Sequence, residues 1–254
     1  MKTLQTTAEL RSALAPLREG RRVGLVPTMG VLHAGHAALF EAARAECDLV
    51  VATLFVNPTQ FSDAADLAVY GRDLPRDEAY AAEHGVDFLF APNASALYPE
   101  GFATWVDPAG AADGLESAAR PGHFRGVATV CVKLFNIVGA DVAYFGRKDA
   151  QQLAVIKQVV RDLEIPLEIR SVETVRDEDG LALSSRNARL STDERTRALA
   201  IPRALATRDP DQARAVLADA GIEPDYVAVA DLDGETLAIA ARVGSTRLID
   251  NVRL

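Results

Sequence analysis

Cysteine, tryptophan and methionine are scarce in this 254-residue chain, with two, one and two copies, and histidine occurs only four times. Cys47 and Cys131 lie far apart and belong to no metal-spaced cluster, so a disulfide framework and a cysteine metal site are both excluded, and reduced, buried thiols are expected. No run of about 18 consecutive apolar residues occurs, so no membrane span is expected. The amino-terminal stretch mixes Lys2, Glu9 and Arg11 with its apolar residues and lacks the unbroken apolar core of a signal peptide, which points to the cytoplasm. Positive charge is in the minority: 27 Lys and Arg stand against 36 Asp and Glu, a net charge of -9. Such a surface repels phosphate backbones, so nucleic acid is excluded as the main partner, although a small nucleotide in a locally basic cleft is not.

What is present is an ordinary globular composition, 49% hydrophobic and 25% charged. Apolar runs without strict alternation occur at Val23 to Val26, Leu49 to Val56, Val86 to Phe90 and Val142 to Phe145, as in strands covered on both faces of a parallel sheet. After Gly126, the residues Val127, Val130, Cys131, Leu134, Phe135 and Val138 make one helical stripe; a second helix is predicted from Ala150 to Leu163, with Leu153, Ile156, Lys157 and Val160 along one face. Strands alternating with helices predict a doubly wound, Rossmann-like α/β domain over residues 1–173. Beyond it the texture changes. A capping box at Ser191 to Glu194 and three strand-like runs, Tyr226 to Ala230, Thr236 to Val243 and Thr246 to Ile249, predict a small α+β domain over residues 174–254.

Four segments carry chemistry. Pro27-Thr28-Met29-Gly30-Val31-Leu32-His33-Ala34-Gly35-His36 empties a strand into two histidines three residues apart, beside glycines that let backbone approach a ligand. A helix amino terminus there attracts an anion, and imidazoles can donate to phosphate oxygens. A zinc pair or two structural histidines are the other readings; a helical metal pair prefers a spacing of four and a third ligand, and no HExxH is present. Asn57-Pro58-Thr59-Gln60-Phe61 follows an apolar strand, and its amides either read a small polar substrate or simply build a turn. Gly146-Arg147-Lys148-Asp149, with Gln151 and Gln152 following, offers a phosphate-seeking cation or a solvated turn. Asp179-Gly180 and Leu183-Ser184-Ser185-Arg186 suit either a phosphate clamp or a hairpin and linker. For Gly122-His123-Phe124-Arg125-Gly126, spacing leaves anion ligands and a surface loop equally open.

Taken in order, PTMGVLHAGH, FVNPTQF, RPGHFRGVATV, FGRKDAQQL, DGLALSSRN and the late STRLIDN resemble the motif series of the pantothenate synthetase (pantoate:beta-alanine ligase) family. That family belongs to a nucleotidyltransferase superfamily whose HIGH and KMSKS signatures resemble His33 to His36 and Ser184 to Arg186. The resemblance implies an AMP-forming condensation of pantoate with beta-alanine through a pantoyl adenylate, with ATP as substrate, Mg2+ on the nucleotide, and a homodimer. It assigns ATP to Met29, Gly30, Val31, Leu32, His33, Ala34, Gly35, His36, Gly146, Arg147, Lys148, Asp149, Val175, Leu183, Ser184, Ser185 and Arg186. Of these, His36, His33, Lys148 and Arg186 carry the catalysis. It assigns substrate to Gln60, Gln152 and Asn57, and an outer-shell metal role to Asp77. Three features depart from the family pattern: Arg147 where Glu is usual, Tyr70-Gly71-Arg72 where Tyr-Pro-Arg is usual, and a shorter region after Arg189. A nucleotide-binding homologue that has lost catalysis and another small-molecule nucleotidyltransferase are the alternatives.

Overall fold

The four apolar runs become the inner strands of one sheet because both of their faces find helices to cover them. In the computed structural model, which describes residues 1–61, 67–68, 70–71 and 73–254, the chain divides into two compact units. One is Met1–Phe145 with Val155–Val172; the other is Gly146–Ala154 with Glu173–Leu254.

The first unit contains β1 (Lys2–Leu4), α1 (Thr7–Leu14), β2 (Val23–Thr28), α2 (Ala34–Glu46), β3 (Leu49–Leu54), α3 (Leu74–Glu83), β4 (Phe88–Phe90), α4 (Ala94–Leu97), α5 (Glu116–Ala119), α6 (His123–Val138), β5 (Val142–Gly146) and β6 (Glu168–Val172). The sheet order is β1-β4-β3-β2-β5-β6, and β2 pairs in parallel with β3 on one side and β5 on the other. The winding direction therefore reverses between β2 and β5, and in open parallel sheets the crevice at such a reversal, beyond the carboxyl ends of the strands, is where ligands bind. Val26, Val50, Ala52, Leu89, Val142 and Tyr144 form one core with Phe40 and Ala43 of α2. The predicted stripe on α6 is buried throughout, and Gly139, at φ 61, ends the helix in the left-handed conformation with its N–H donated to the Phe135 carbonyl.

The helix predicted at Ala150 to Leu163 is α7 (Ala150–Asp162), although its fully buried positions are Leu153, Val155 and Ile156, with Lys157 only half-buried. The second unit continues with α8 (Thr192–Ala198), α9 (Ala200–Ala206), α10 (Pro210–Asp219), β7 (Pro224–Asp231), β8 (Glu235–Val243) and β9 (Thr246–Arg253). The last three form an antiparallel meander in that order. Its buried face, Val227, Leu237, Ile239, Ala241 and Leu248, packs with Ile201, Leu205 and Leu217 of the helices in a core of its own. The predicted capping box is formed: Ser191 Oγ accepts from Glu194 N at 3.3 Å, and Glu194 Oε2 accepts from Ser191 N at 2.8 Å.

Both cysteines are free and buried. Desolvation pushes the Cys131 thiol from 9.0 up to about 12, and burial also raises Cys47, partly opposed by the Tyr144 hydroxyl 3.3 Å away. A thiol reagent at pH 8 is expected to modify neither in the native protein and both in denaturant; fast labelling of the folded chain would contradict this burial. Because the folded Cys131 pKa is the higher one, its contribution to stability is complete below about pH 9 and is lost as pH rises toward about 12.

Candidate active site

The segment leaving β2 is a strained turn held from outside. Gly30 has φ 87 and Val31 has φ 54, a region costly for a β-branched residue. The buried carboxylate of Asp77, on α3, compensates: Oδ2 accepts from Val31 N and Oδ1 from Leu32 N, each at 2.8 Å. Gly30 has no room for a side chain here, since a Cβ would stand 2.9 Å from Asp77 Oδ2.

The turn delivers His33 as the N-cap of α2. Its Nδ1 accepts from Gly35 N at 3.1 Å, and His36 Nδ1 accepts from His33 N at 3.2 Å, so the two histidines form a reciprocal capping box. A nitrogen that accepts carries no proton. Both neutral rings therefore keep their hydrogen on Nε2, the tautomer that donates away from the helix end. The rings sit 4.2 Å apart between centroids. The capping bonds use only one nitrogen of each imidazole, so the sequence alternatives of structural histidines and phosphate ligands do not exclude one another.

The Asn57 to Gln60 turn follows β3 as a 3-10 helix, Pro58–Gln60, capped by Asn57. Asn57 is spent inside the first unit: Oδ1 accepts from Thr59 N and Thr59 Oγ1, and Nδ2 donates to Gln60 Oε1 at 3.0 Å and to Gly126 O at 3.1 Å. Gln60 is buried, and its Nε2 lies 3.1 Å from Met29 Sδ, which joins this turn to the histidine loop. From α6 and the residues before it, His123 Nδ1 donates to the Gln60 carbonyl at 2.9 Å and Arg120 Nη2 donates to the same oxygen at 3.3 Å. An arginine cannot accept, so His123 Nε2, 3.4 Å from Arg120 Nη1, is the accepting nitrogen and the ring is neutral. His123 is accordingly a buried support of Gln60, and Arg125 stacks over Trp105, 4.7 Å from the ring centroid.

In the second unit, strand β9 backs two of the sequence motifs at once. Asp250, buried, takes a bidentate pair from Arg176 at 2.7 and 3.0 Å, which anchors the hairpin in which Leu183 N donates to Val175 O and Asp177 N to Leu181 O. Gly180, at φ 89, closes that hairpin, and Ser184 then caps the short helix Ser185–Arg189 by accepting from Arg186 N at 3.2 Å. The neighbouring Asn251 donates to the carbonyls of Arg147 and Lys148, both at 2.9 Å. Arg147 is buried and faces carboxylates, Glu173 at 3.1 Å and Asp233 at 2.7 Å, while Lys148 Nζ lies 3.5 Å from Asp149 Oδ1.

The family description Pantoate-beta-alanine ligase matches residues 2–253. The chain belongs to the pantoate-beta-alanine ligase family. A curated relative, pantothenate synthetase 1 of Bradyrhizobium diazoefficiens, is 49% identical over 278 residues, covering 100% of this chain and 98% of that protein. Pantothenate synthetase of Heliobacterium modesticaldum is 50% identical over 259 residues, 92% of each. Among solved structures, pantothenate synthetase from Thermus thermophilus superposes with a TM-score of 0.91 at 46% identity, covering 100% of this chain and 99% of that one. The pantoate-beta-alanine ligase of Francisella tularensis, solved with beta-gamma ATP and beta-alanine, gives 0.91 at 34% identity, covering 100% and 97%.

For a member of the pantoate-beta-alanine ligase family, the supporting residues are those that sequence reasoning overlooked. Asp77 entered as a metal partner, yet each of its oxygens accepts a backbone N–H of the histidine loop. Gly126, Arg120 and Asn251 had no assigned part; an isolated glycine in an apolar helical stripe was the one available signal, since it marks a close approach of backbone. Among the described residues no group of three or more His, Cys, Asp or Glu side chains could hold a metal ion, and no helix is long and apolar enough to cross a membrane. Of Tyr70-Gly71-Arg72, Arg72 lies outside the described residues.

Proposed function

We propose that this chain condenses pantoate with beta-alanine, driven by ATP, in the two-step, AMP-forming reaction of its family. A pantoate carboxylate oxygen attacks the α-phosphorus, its P–O bond forms as the bond to pyrophosphate breaks, and the pantoyl adenylate results. The amine of beta-alanine then attacks the acyl carbon, the C–O bond to AMP breaks, and the amine loses its proton. A carboxylate needs this activation because it has no good leaving group, and the protein's task is to neutralise charge at phosphorus and hold the reactants in line.

The observation that carries this reading is the histidine box: its hydrogen bonds commit both Nδ1 atoms and so put the proton of each ring on Nε2, on two adjacent imidazoles at a helix amino terminus. On this reading Met29 to His36 hold ATP, with His36 as proton donor and His33 beside it on phosphate. Lys148 and Arg186 add positive charge, and Gly146, Arg147, Asp149, Val175, Leu183, Ser184 and Ser185 complete the nucleotide contacts, Arg147 through its backbone because its guanidinium is engaged by Glu173 and Asp233. The buried amide of Gln60, oriented by Asn57, binds pantoate and meets beta-alanine, and Gln152 holds pantoate as well. Mg2+ enters as part of the substrate, Mg·ATP. A metal contact from Asp77 would have to use lone pairs other than those given to Val31 and Leu32. We read the assembly as a cytoplasmic homodimer, a stoichiometry that sedimentation equilibrium measures.

The deciding experiment is isotope exchange between pyrophosphate and ATP. Exchange is expected to require pantoate and Mg2+ but not beta-alanine, and complete turnover should yield AMP. Exchange without pantoate, or ADP as product, overturns the reading, and ATP binding with no exchange identifies an impaired homologue. His36→Asn keeps an acceptor near the Nδ1 position and removes Nε2–H, so it should fold normally and lose about a hundredfold or more in kcat, as for loss of a key transition-state donor. Near-normal turnover removes His36 from the chemistry.

A further inference from the structure

Lys148 sits in a turn of three residues, Arg147–Asp149, that follows β5 and has no side-chain cap of its own. Its backbone is nevertheless gripped from two directions within the second unit. On one side the single amide of Asn251 donates to two consecutive carbonyls, those of Arg147 and Lys148, both at 2.9 Å, which fixes the two peptide planes flanking the Lys148 Cα. On the other side the Arg147 guanidinium reaches Glu173 through Nε at 3.1 Å and Asp233 through Nη2 at 2.7 Å. The forked guanidinium can meet two carboxylates on different nitrogens at once, which an ammonium at this position could not do with the same geometry.

Two far ends of this grip, Asp233 and Asn251, are themselves held. Asp233 lies in the turn between β7 and β8 with φ 66, followed by Gly234 at φ 111, whose N–H donates to Asp231 Oδ1 at 3.0 Å. Arg253 donates to the Asp233 carbonyl, and Asn251 is paired in register with Ala238 of β8. A glutamate in place of Arg147 would stand as a third carboxylate beside Glu173 and Asp233.

We infer that Arg147 and Asn251 are positioning residues for Lys148: they fix the stem of the lysine, so that the ammonium meets the nucleotide phosphates from one place, and the positive charge of Arg147 serves the carboxyl-terminal sheet instead of the nucleotide. This rests on the assignment of Lys148 to phosphate. The stem of a lysine limits its ammonium to the space around its own Cα, so holding that Cα decides which phosphates the charge can reach. It also gives the antiparallel meander a part in the reaction that none of its side chains performs directly.

The test is a double-mutant cycle on kcat/KM for Mg·ATP in pantoate-dependent exchange, with circular dichroism and Tm recorded for every variant. Arg147→Met should lower kcat/KM about tenfold, the scale expected when a charged group is misplaced by a fraction of an ångström, with the circular dichroism spectrum of the folded chain retained and the Tm lowered by the loss of the ion pair. In a Lys148→Ala background the same substitution should change kcat/KM by less than about twofold, because residues acting as a unit are non-additive. Asn251→Ala, which loosens the same carbonyls from the opposite side, should behave alike and serves if Arg147→Met fails to fold. Full effects multiplying in the double variant would mean that Arg147 acts on the nucleotide directly, and no effect of either single variant would mean that the grip is idle; each overturns the inference while leaving the function intact. If Lys148→Ala itself leaves exchange unchanged, the assignment of Lys148 fails, and the inference with it.

Discussion

Asp77→Asn is expected to lower stability by about 2 kcal/mol, the cost of leaving a buried donor unpaired, and to lower kcat/KM for ATP at least tenfold. The native carboxylate is buried and accepts from Val31 N and Leu32 N at 2.8 Å each. An amide has one accepting oxygen, so one of the two N–H groups would face an NH2 group, donor against donor. The segment losing that bond is the one least able to spare it, because Val31 occupies φ 54 and Gly30 φ 87 only while something outside the loop holds them there. Relaxation of the turn moves His33, the N-cap of α2, and with it the reciprocal bond to His36. Urea titration measures the first effect and the exchange assay the second; hydrogen exchange should show the Val31 and Leu32 amides losing protection. An active variant with protected amides would show that the loop keeps its shape without the carboxylate.

Gly126→Ala should act on the other substrate. A Cβ at that position would lie 2.5 Å from Thr59 O, 2.6 Å from Thr59 C and 2.7 Å from Gln60 N, all of them backbone. Ordinary contact begins at about 3.4 Å, so α6 and the Asn57 to Gln60 turn must part by nearly an ångström, with no side chain able to swing aside. Overpacking of this kind costs about 1–3 kcal/mol. The displaced atoms include the Gln60 backbone, and the same movement stretches Asn57 Nδ2 from Gly126 O, a bond that orients the Gln60 amide through Asn57. We expect kcat/KM for pantoate to fall about a hundredfold, the scale of an ångström misplacement, with ATP affinity by calorimetry little changed. Equal losses for both substrates would point to general unfolding, and unchanged kinetics would show that Gln60 tolerates the shift.

The inner strands and α6 were legible because each carries a pattern that one kind of burial explains: apolar runs without strict alternation for β2 to β5, and a 3.6-residue stripe for α6. The strands β1 and β6 were not. They are edge strands of three and five residues, with exposed or half-buried positions such as Lys2, Glu168 and Arg170, and an edge strand need not look apolar because one side of it meets solvent. The chemistry-bearing residues were legible for a different reason. His33, Gln60 and Lys148 sit in short turns after apolar strands, and His36 in the first turn of the helix that follows, where the doubly wound pattern already expects ligands.

Their orientation was not legible. Asp77 is 46 residues from Val31, His123 is 63 from Gln60, and Asn251 is 104 from Arg147. A hydrogen bond across such a separation leaves no trace in local spacing, because its partner is chosen by how the chain returns on itself and by which buried donor would otherwise go unpaired. Residue type and order therefore decided that two imidazoles, two amides and a lysine would follow strands of a parallel sheet, since those are properties of short segments. Packing alone decided that Arg147 faces Glu173 and Asp233 and that Asp77 holds a loop, because each follows from a donor and an acceptor that only the folded chain brings within reach.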